Sequence, residues 1–356
     1  MKLTKIASLV MTSATVLSTV AVATPAIIQA KTQEGNAKMN GGKALPDTNH
    51  SRVGITFGKG SGTNPGGGNN PGGGNNPGGG GNNPGGGTNP GGGGNNPGGG
   101  TNPGGGGNNP GGGDNPGGGT NPGGGGNTNK PDDGVGYLRL QYVPAVLDFG
   151  SHTAFNSANP VFTAAGTNLN NTTNDTNKGY AGGANQTPKL STTADHLDYV
   201  NGKTWVTVVD KQDSRTDTDA KNDRHPGGWQ LSVKADGPLT TGKDADAKTI
   251  AGATLAFNNT EIASTTDVFG LTGSVADKGY ISNGAIYPTV TKNLTVNLAA
   301  DSTAVQVGTV SDSSAGGAYV FAWDPSDIKL TLPASASVED GTYTTSLTWT
   351  LSTGIK

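Results

Sequence analysis

The sequence predicts an all-β protein: a single antiparallel β-sandwich or barrel-like domain with long loops, preceded by a disordered Gly/Asn/Pro-rich tether. Three observations carry the expectation. After residue 130, runs of alternating apolar and polar residues recur, rich in Thr and Val and separated by turn residues. No segment sustains the i, i+3, i+4, i+7 apolar pattern with capping residues that a helix requires, so helix should be minor. Hydrophobic residues are only 31% of the 356, and the 63 glycines crowd into an earlier stretch, which leaves one region able to bury a core.

Residues 1–30 come first. Lys2 and Lys5 precede an uncharged stretch of Ile, Leu, Val, Ala and Thr that ends in Ala-Ile-Ile-Gln-Ala before Lys31, the pattern of a secretory signal peptide. The cut is placed after Ala30, with the small-x-small run Ala21-Val22-Ala23 as the alternative. Residues 31–60 are polar except for Val53-Gly54-Ile55-Thr56-Phe57, a possible strand over 53–57. Too short and apolar to sit alone, it is expected to add as an edge strand to the later domain, with the spacer looping out between them.

Residues 61–129 collapse to Asn-Pro-Gly-Gly-Gly, repeated ten times at six- or seven-residue spacing with Asp114 as the only charge. A period this short with no apolar residue makes no solenoid, and glycine does not recur at every third position as collagen demands. What remains is a flexible neutral tether. Its span is roughly 45 Å and its contour roughly 230 Å, enough to hold two objects apart or let one explore.

Residues 130–356 form the globular unit, a normal size for one all-β domain. Strands are read at 137–142, 145–149, 205–209, 229–235, 253–257, 294–298, 305–310, 318–323, 328–332 and 343–351, with 156–188 and 210–225 as the longest loops. So many short strands in one unit imply an antiparallel sandwich or barrel. Cysteine is absent, so an exported domain must hold by packing rather than by disulfides. The formal charge of −3 becomes −5 without Lys2 and Lys5, and 16 basic against 23 acidic residues give −7 over 130–356. That balance argues against nucleic acid as a partner. No later stretch is long and apolar enough to span a bilayer.

Two Trp-x-Leu triplets hold two of the four tryptophans. Trp229, Leu231 and Val233 alternate with Gln230 and Ser232, and Leu347, Trp349 and Leu351 alternate with Thr348 and Thr350, so the Trp and Leu of each triplet point the same way. Two roles fit such a stripe. One is core packing, in which a buried Trp removes roughly 150–250 Å² from water; the other is a stacking platform for sugars. Flanking Leu and Val at period two favour the inward face. The two strands are then expected to lie close together and to set a binding surface from beneath.

Further motifs accompany the triplets. Leu147-Asp148-Phe149-Gly150 stands near the start of the unit, Val206-Thr207-Val208-Val209-Asp210 leads through an Asp/Arg loop to Gly227-Gly228-Trp229-Gln230-Leu231, and Gly341-Thr342-Tyr343 leads to Leu347-Thr348-Trp349-Thr350-Leu351. In this order, over about 220 residues, they resemble the C-terminal WxL domain of low-GC Gram-positive surface proteins. The loop 213–225 is longer than usual, and Arg224-His225-Pro226 stands where a compact Arg-Gly-Thr-Gly turn is customary.

The resemblance implies a secreted protein held non-covalently on peptidoglycan at the cell surface, of the small class with one WxL domain after a low-complexity spacer. It implies as partners a larger WxL protein and a membrane-anchored WxL-interacting protein, and as wall-binding motif Trp229, Leu231, Trp349 and Leu351. A separate expectation agrees: only residues 352–356 follow the last strand, leaving no room for a sorting tail, so the folded domain would do the holding. Leu45-Pro46-Asp47-Thr48-Asn49 imitates part of a sortase motif but lacks the hydrophobic and basic tail. The alternative is an adhesion module that grips a host or glycan ligand and stays on the cell through a WxL-interacting partner.

No catalytic, cofactor or metal set is read. Asp210, Asp213, Asp217, Asp219 and Asp223 line one loop, but Lys221 occupies a calcium-ligand position and Asn222 the required glycine, so a solvated loop is expected. Gly202-Lys203-Thr204 precedes a strand instead of a helix and reads as a turn rather than a phosphate loop. His50, His152, His196 and His225 are scattered on loops without partner spacing.

Overall fold

Alternating apolar side chains build three curled sheets that form a half-barrel around one main core. The structure, a computed structural model, describes residues 40–58, 136–177, 179, 192, 194, 197–215, 227–242, 246–312 and 315–355. The expected signal peptide 1–30 and tether 61–129 lie outside the described residues, as do Asp217, Asp219, Asp223, His196 and His225.

The first sheet runs in the order β13 (Thr289–Val290), β15 (Val305–Asp312), β8 (Gly227–Ala235), β18 (Gly341–Ile355), β1 (Asp47–Phe57), β3 (Val146–His152), β6 (Asp175–Asn177). A hairpin of β9 (Leu239–Thr241) and β10 (Lys248–Ile250) branches from β18. The second sheet is β14 (Leu294–Asn297), β11 (Thr254–Phe257), β17 (Ile328–Thr331), β4 (Val161–Thr163) and β5 (Thr167–Asn168). The third is β12 (Glu261–Thr265), β16 (Gly317–Trp323), β7 (Thr204–Asp210) and β2 (Leu138–Tyr142). A single α-helical turn, α1 (Val268–Thr272), starts where Asp267 accepts from the Gly270 N–H and stops at the left-handed Gly273.

Each of the ten runs read after residue 130 is a strand. The loop expected over 156–188 instead carries β4, β5 and β6, which are too short to show a period and are set by pairing with β17, β3 and each other and by the buried Phe162 of β4. β2, β7 and β16 of the third sheet are covered on both faces. Leu140, Val208 and Phe321 face the main core, while Tyr142, Trp205, Val209 and Val320 face a second cluster with Leu197, Val268 and Leu271. For that reason Arg139 and Gln141, whose alternation along β2 reads as outward, are fully buried.

β1 departs from the sequence reading in two ways. It is an interior strand instead of an edge, paired with β18 from Asp47↔Leu351 to Phe57↔Gly341 on one side and with β3 on the other. Val53, Ile55 and Phe57 are consequently buried, and the sortase-like string ends inside the strand. The β1–β3 pair is also parallel, an exception to an otherwise antiparallel fold, because β1 arrives from a remote segment and not through a hairpin. Since Asn40 exchanges hydrogen bonds with Leu138 at 2.8 and 2.7 Å, residues 59–135 start and finish on one domain. They do not connect two folded objects.

Removing residues 31–60 should therefore abolish cooperative unfolding of the domain, and Phe57→Ala should cost about 3–5 kcal/mol in a urea titration. An unchanged melting temperature after the deletion would make β1 dispensable.

Candidate functional site

β8 and β18 are antiparallel neighbours, and their register sets Leu231 against Leu351, Val233 against Trp349 and Trp229 against Thr353. The two triplets thus form one stripe on one sheet. Trp229, Leu231, Trp349 and Leu351 are each 0% exposed and belong to the main core. The polar residues between them are not in open water on β8, where Gln230 and Ser232 are also buried between β15 and β18.

A buried indole needs a partner for its N–H. Trp349 Nε1 donates to Ser51 Oγ at 2.9 Å, and Ser51 in turn donates to the Pro144 carbonyl. The Trp349 ring lies edge-on to Phe257 at 5.8 Å and 6.1 Å from Trp323, whose own Nε1 donates to Thr260 Oγ1 at 2.9 Å. Trp229 Nε1 donates to Asp210 Oδ2 at 2.9 Å, with Tyr319 and Phe321 rings 5.7 and 6.4 Å away.

This geometry brings the motifs of the sequence together in space. Asp210 ends β7, is fully buried, and accepts from the Gln212 N–H as well as from Trp229. The Gln212 amide brackets Gly227, donating to its carbonyl at 3.0 Å and accepting from its N–H at 3.3 Å. Val-Asp210 and Gly227-Gly228-Trp229 are the two sides of one clasp at the neck of the 213–226 loop. In Leu147-Asp148-Phe149-Gly150, Asp148 accepts from the Gly150 N–H at 2.9 Å. Gly150 itself has φ +85°, and a Cβ there would lie 2.5 Å from the Gly166 carbonyl oxygen, so only glycine fits. Tyr343 of the last motif joins the Phe57 cluster and ties its hydroxyl to the Glu339 backbone.

Sequence reasoning missed the surface that this frame supports. Buried Arg139 and Lys211 both reach Asp277 at 2.7 Å, Thr272 donates to the same carboxylate, and Lys211 also donates to the Ala276 carbonyl at 3.0 Å. Asp213, three residues beyond Asp210, accepts from the Tyr280 hydroxyl at 2.8 Å and from the Asn283 N–H at 3.0 Å. Between and beyond these anchors, Val275, Ile281 and Tyr287 stand 84%, 83% and 74% exposed. Exposure alternates along 281–287, with Ile281, Asn283, Ala285 and Tyr287 exposed and Ser282, Gly284 and Ile286 half-buried. Such large exposed apolar side chains are the signal a sequence could have offered, but nothing local marks them as uncovered.

His152 and His50 make contacts between strands. His152 is buried at the end of β3, with Nδ1 2.9 Å from Asp175 Oδ1 and Nε2 2.8 Å from the Phe149 carbonyl oxygen, which ties β3 to β6. His50 lies beside Thr348 and Asp236 on the outer side of the first sheet. Among the described residues, no three His, Cys, Asp or Glu side chains converge as metal ligands.

Burial works against the Asp277 charge, yet Arg139, Lys211 and Thr272 hold its carboxyl below the usual carboxylate range. A carboxylate with a depressed folded pKa contributes stability above its unfolded pKa, about 3.9, and that contribution is lost as pH falls further. Amide exchange over 272–284 should rise below about pH 4 while the β8–β18 ladder stays protected. Ser51→Ala, which leaves the Trp349 N–H unpaired, should cost about 1–3 kcal/mol in denaturant titrations.

A family model described as WxL domain surface cell wall-binding matches residues 46–354. The match begins one residue before β1, so it takes in the N-terminal strand together with both triplets. No curated protein and no solved structure matches the chain. No helix among the described residues is long and apolar enough to cross a membrane. The matched family is a cell-wall-binding surface domain and not an enzyme family. With nearly the whole β framework inside the matched region, the chain belongs to the WxL domain surface cell wall-binding family, and its place is the cell surface.

Proposed function

We propose that the domain holds the protein non-covalently on peptidoglycan through the exposed side chains of the segment 275–287, with the two Trp-x-Leu strands as the buried frame beneath it. The observation that carries this reading is the path from Trp229 through the Asp210 carboxylate and the Asp213 loop to Tyr280 and Asn283, which ties the motif to the exposed segment. Tyr287 offers a phenol face to the apolar C–H side of a sugar ring, and Ile281 and Val275 supply flanking apolar contact. Burial and the neighbouring Asp213 raise the Tyr280 phenol, so it stays a hydrogen-bond donor at any growth pH and keeps the segment fixed.

In this reading residues 1–30 direct export and the repeats of 61–129 form an arm displayed above the wall. Larger WxL proteins and a membrane-anchored WxL-interacting protein are the expected companions in a surface complex. The acidic excess of the domain gives attachment only modest dependence on salt.

Pull-down on purified peptidoglycan tests the assignment. Ile281→Ser with Tyr287→Ala should lower retention roughly tenfold, a loss of ~1.4 kcal/mol, at an unchanged melting temperature. Trp349→Ala should lower retention and melting temperature together. Full retention of the double variant would move the contact elsewhere, and retention only after adding the WxL-interacting protein would favour a partner-held adhesin.

A further inference from the structure

β1 is the strand on which the last motif depends, yet it joins the rest of the domain only through residues 59–135. Take it away and β18 and β3 each expose an unpaired edge. Trp349 loses the Ser51 hydroxyl, and the Leu140 N–H loses the Asp47 carboxylate that accepts it at 2.7 Å. The slot is selective: it takes a carboxylate at 47, a hydroxyl at 51 and apolar side chains at 53, 55 and 57.

The connection does not prescribe which copy supplies the strand. A Gly-rich chain of this length brings its own β1 to the slot at an effective concentration on the order of millimolar. A second copy's β1 would make every one of the same pairs and contacts. Chain order adds to this, because β18 follows β1 and all the other described strands, so β1 stays unpaired with it until the rest of the domain has been made.

We propose that the slot between β18 and β3 is a strand-acceptor site that β1 of a second copy fills, so that neighbouring copies are joined by exchanged strands. The exchange preserves every native pair, and the balance between closed and linked forms follows local copy density against the millimolar effective concentration. It is independent of the wall ligand.

The chain has no cysteine, which permits a clean test on the full mature protein. Thr56 and Thr342 are register partners with hydroxyl oxygens 2.8 Å apart, and Arg52 and Ser346 are a second such pair. Thr56→Cys and Thr342→Cys variants, prepared separately and refolded together at ~1 mM, should oxidise to a disulfide-linked heterodimer. Refolding at ~1 μM should give little heterodimer, while a chain carrying both cysteines closes within itself. Thr56→Cys paired with Thr353→Cys, at the far end of β18, sets the random background. Melting temperatures confirm that each variant folds, and the Arg52→Cys with Ser346→Cys pair repeats the test if the first does not. Heterodimer no greater than background at either concentration, from a pair that folds, would overturn the proposal.

Discussion

The ladder between β1 and β18 is the constraint on which the rest of the structure hangs. It joins a strand near the N-terminus to the strand at the C-terminus over eleven residue pairs, and it supplies the one hydroxyl that satisfies the Trp349 N–H. Burying that indole without Ser51 would leave a donor stranded in the core, which costs more than the hydrogen bond itself contributes. β18 then carries β8, and β8 carries β15, so the first sheet is assembled outward from a pair of strands nearly three hundred residues apart.

The tryptophans work the same way on both sides of that seam. Each uses its ring for packing and its N–H as a clasp on a distant element, Ser51 on β1 for Trp349 and Asp210 on β7 for Trp229. A conventional hydrophobic residue would fill the space but would not hold the other element in register. The clasp on Asp210 reaches furthest, because Asp210 stands just ahead of the single 3₁₀ turn Gln212–Ser214 that carries Asp213. Rigidity in the core is thereby passed to a surface segment that displays Ile281 and Tyr287.

The third sheet shows why a buried charge network is needed at that point. Covering β2 on both faces traps Arg139, and a trapped guanidinium is stable only beside a carboxylate with its remaining hydrogen bonds satisfied. Asp277 meets that need at Nη2, while Arg139 Nε donates to Gln141 and Nη1 to the Gly136 carbonyl. The same bond fixes the start of the exposed 275–287 segment, so satisfying one buried cation also shapes the outer surface.

The sequence by itself determined the strands that are long enough to show period two and the identity of the domain through its paired triplets, and it favoured the inward aim of Trp229, Leu231, Trp349 and Leu351 that their burial then decided. These are local properties, because a strand's alternation records its own burial. Tertiary structure alone decided that β1 is interior, that it runs parallel to β3, and that Arg139 lies in the dark, since each depends on what a remote segment places against the strand. Ser51 and Asp210 read as an ordinary hydroxyl and an ordinary loop carboxylate until the fold sets them under an indole. The exposure of Val275, Ile281 and Tyr287 was illegible for the complementary reason: exposure is the absence of a neighbour, and no residue encodes that for itself.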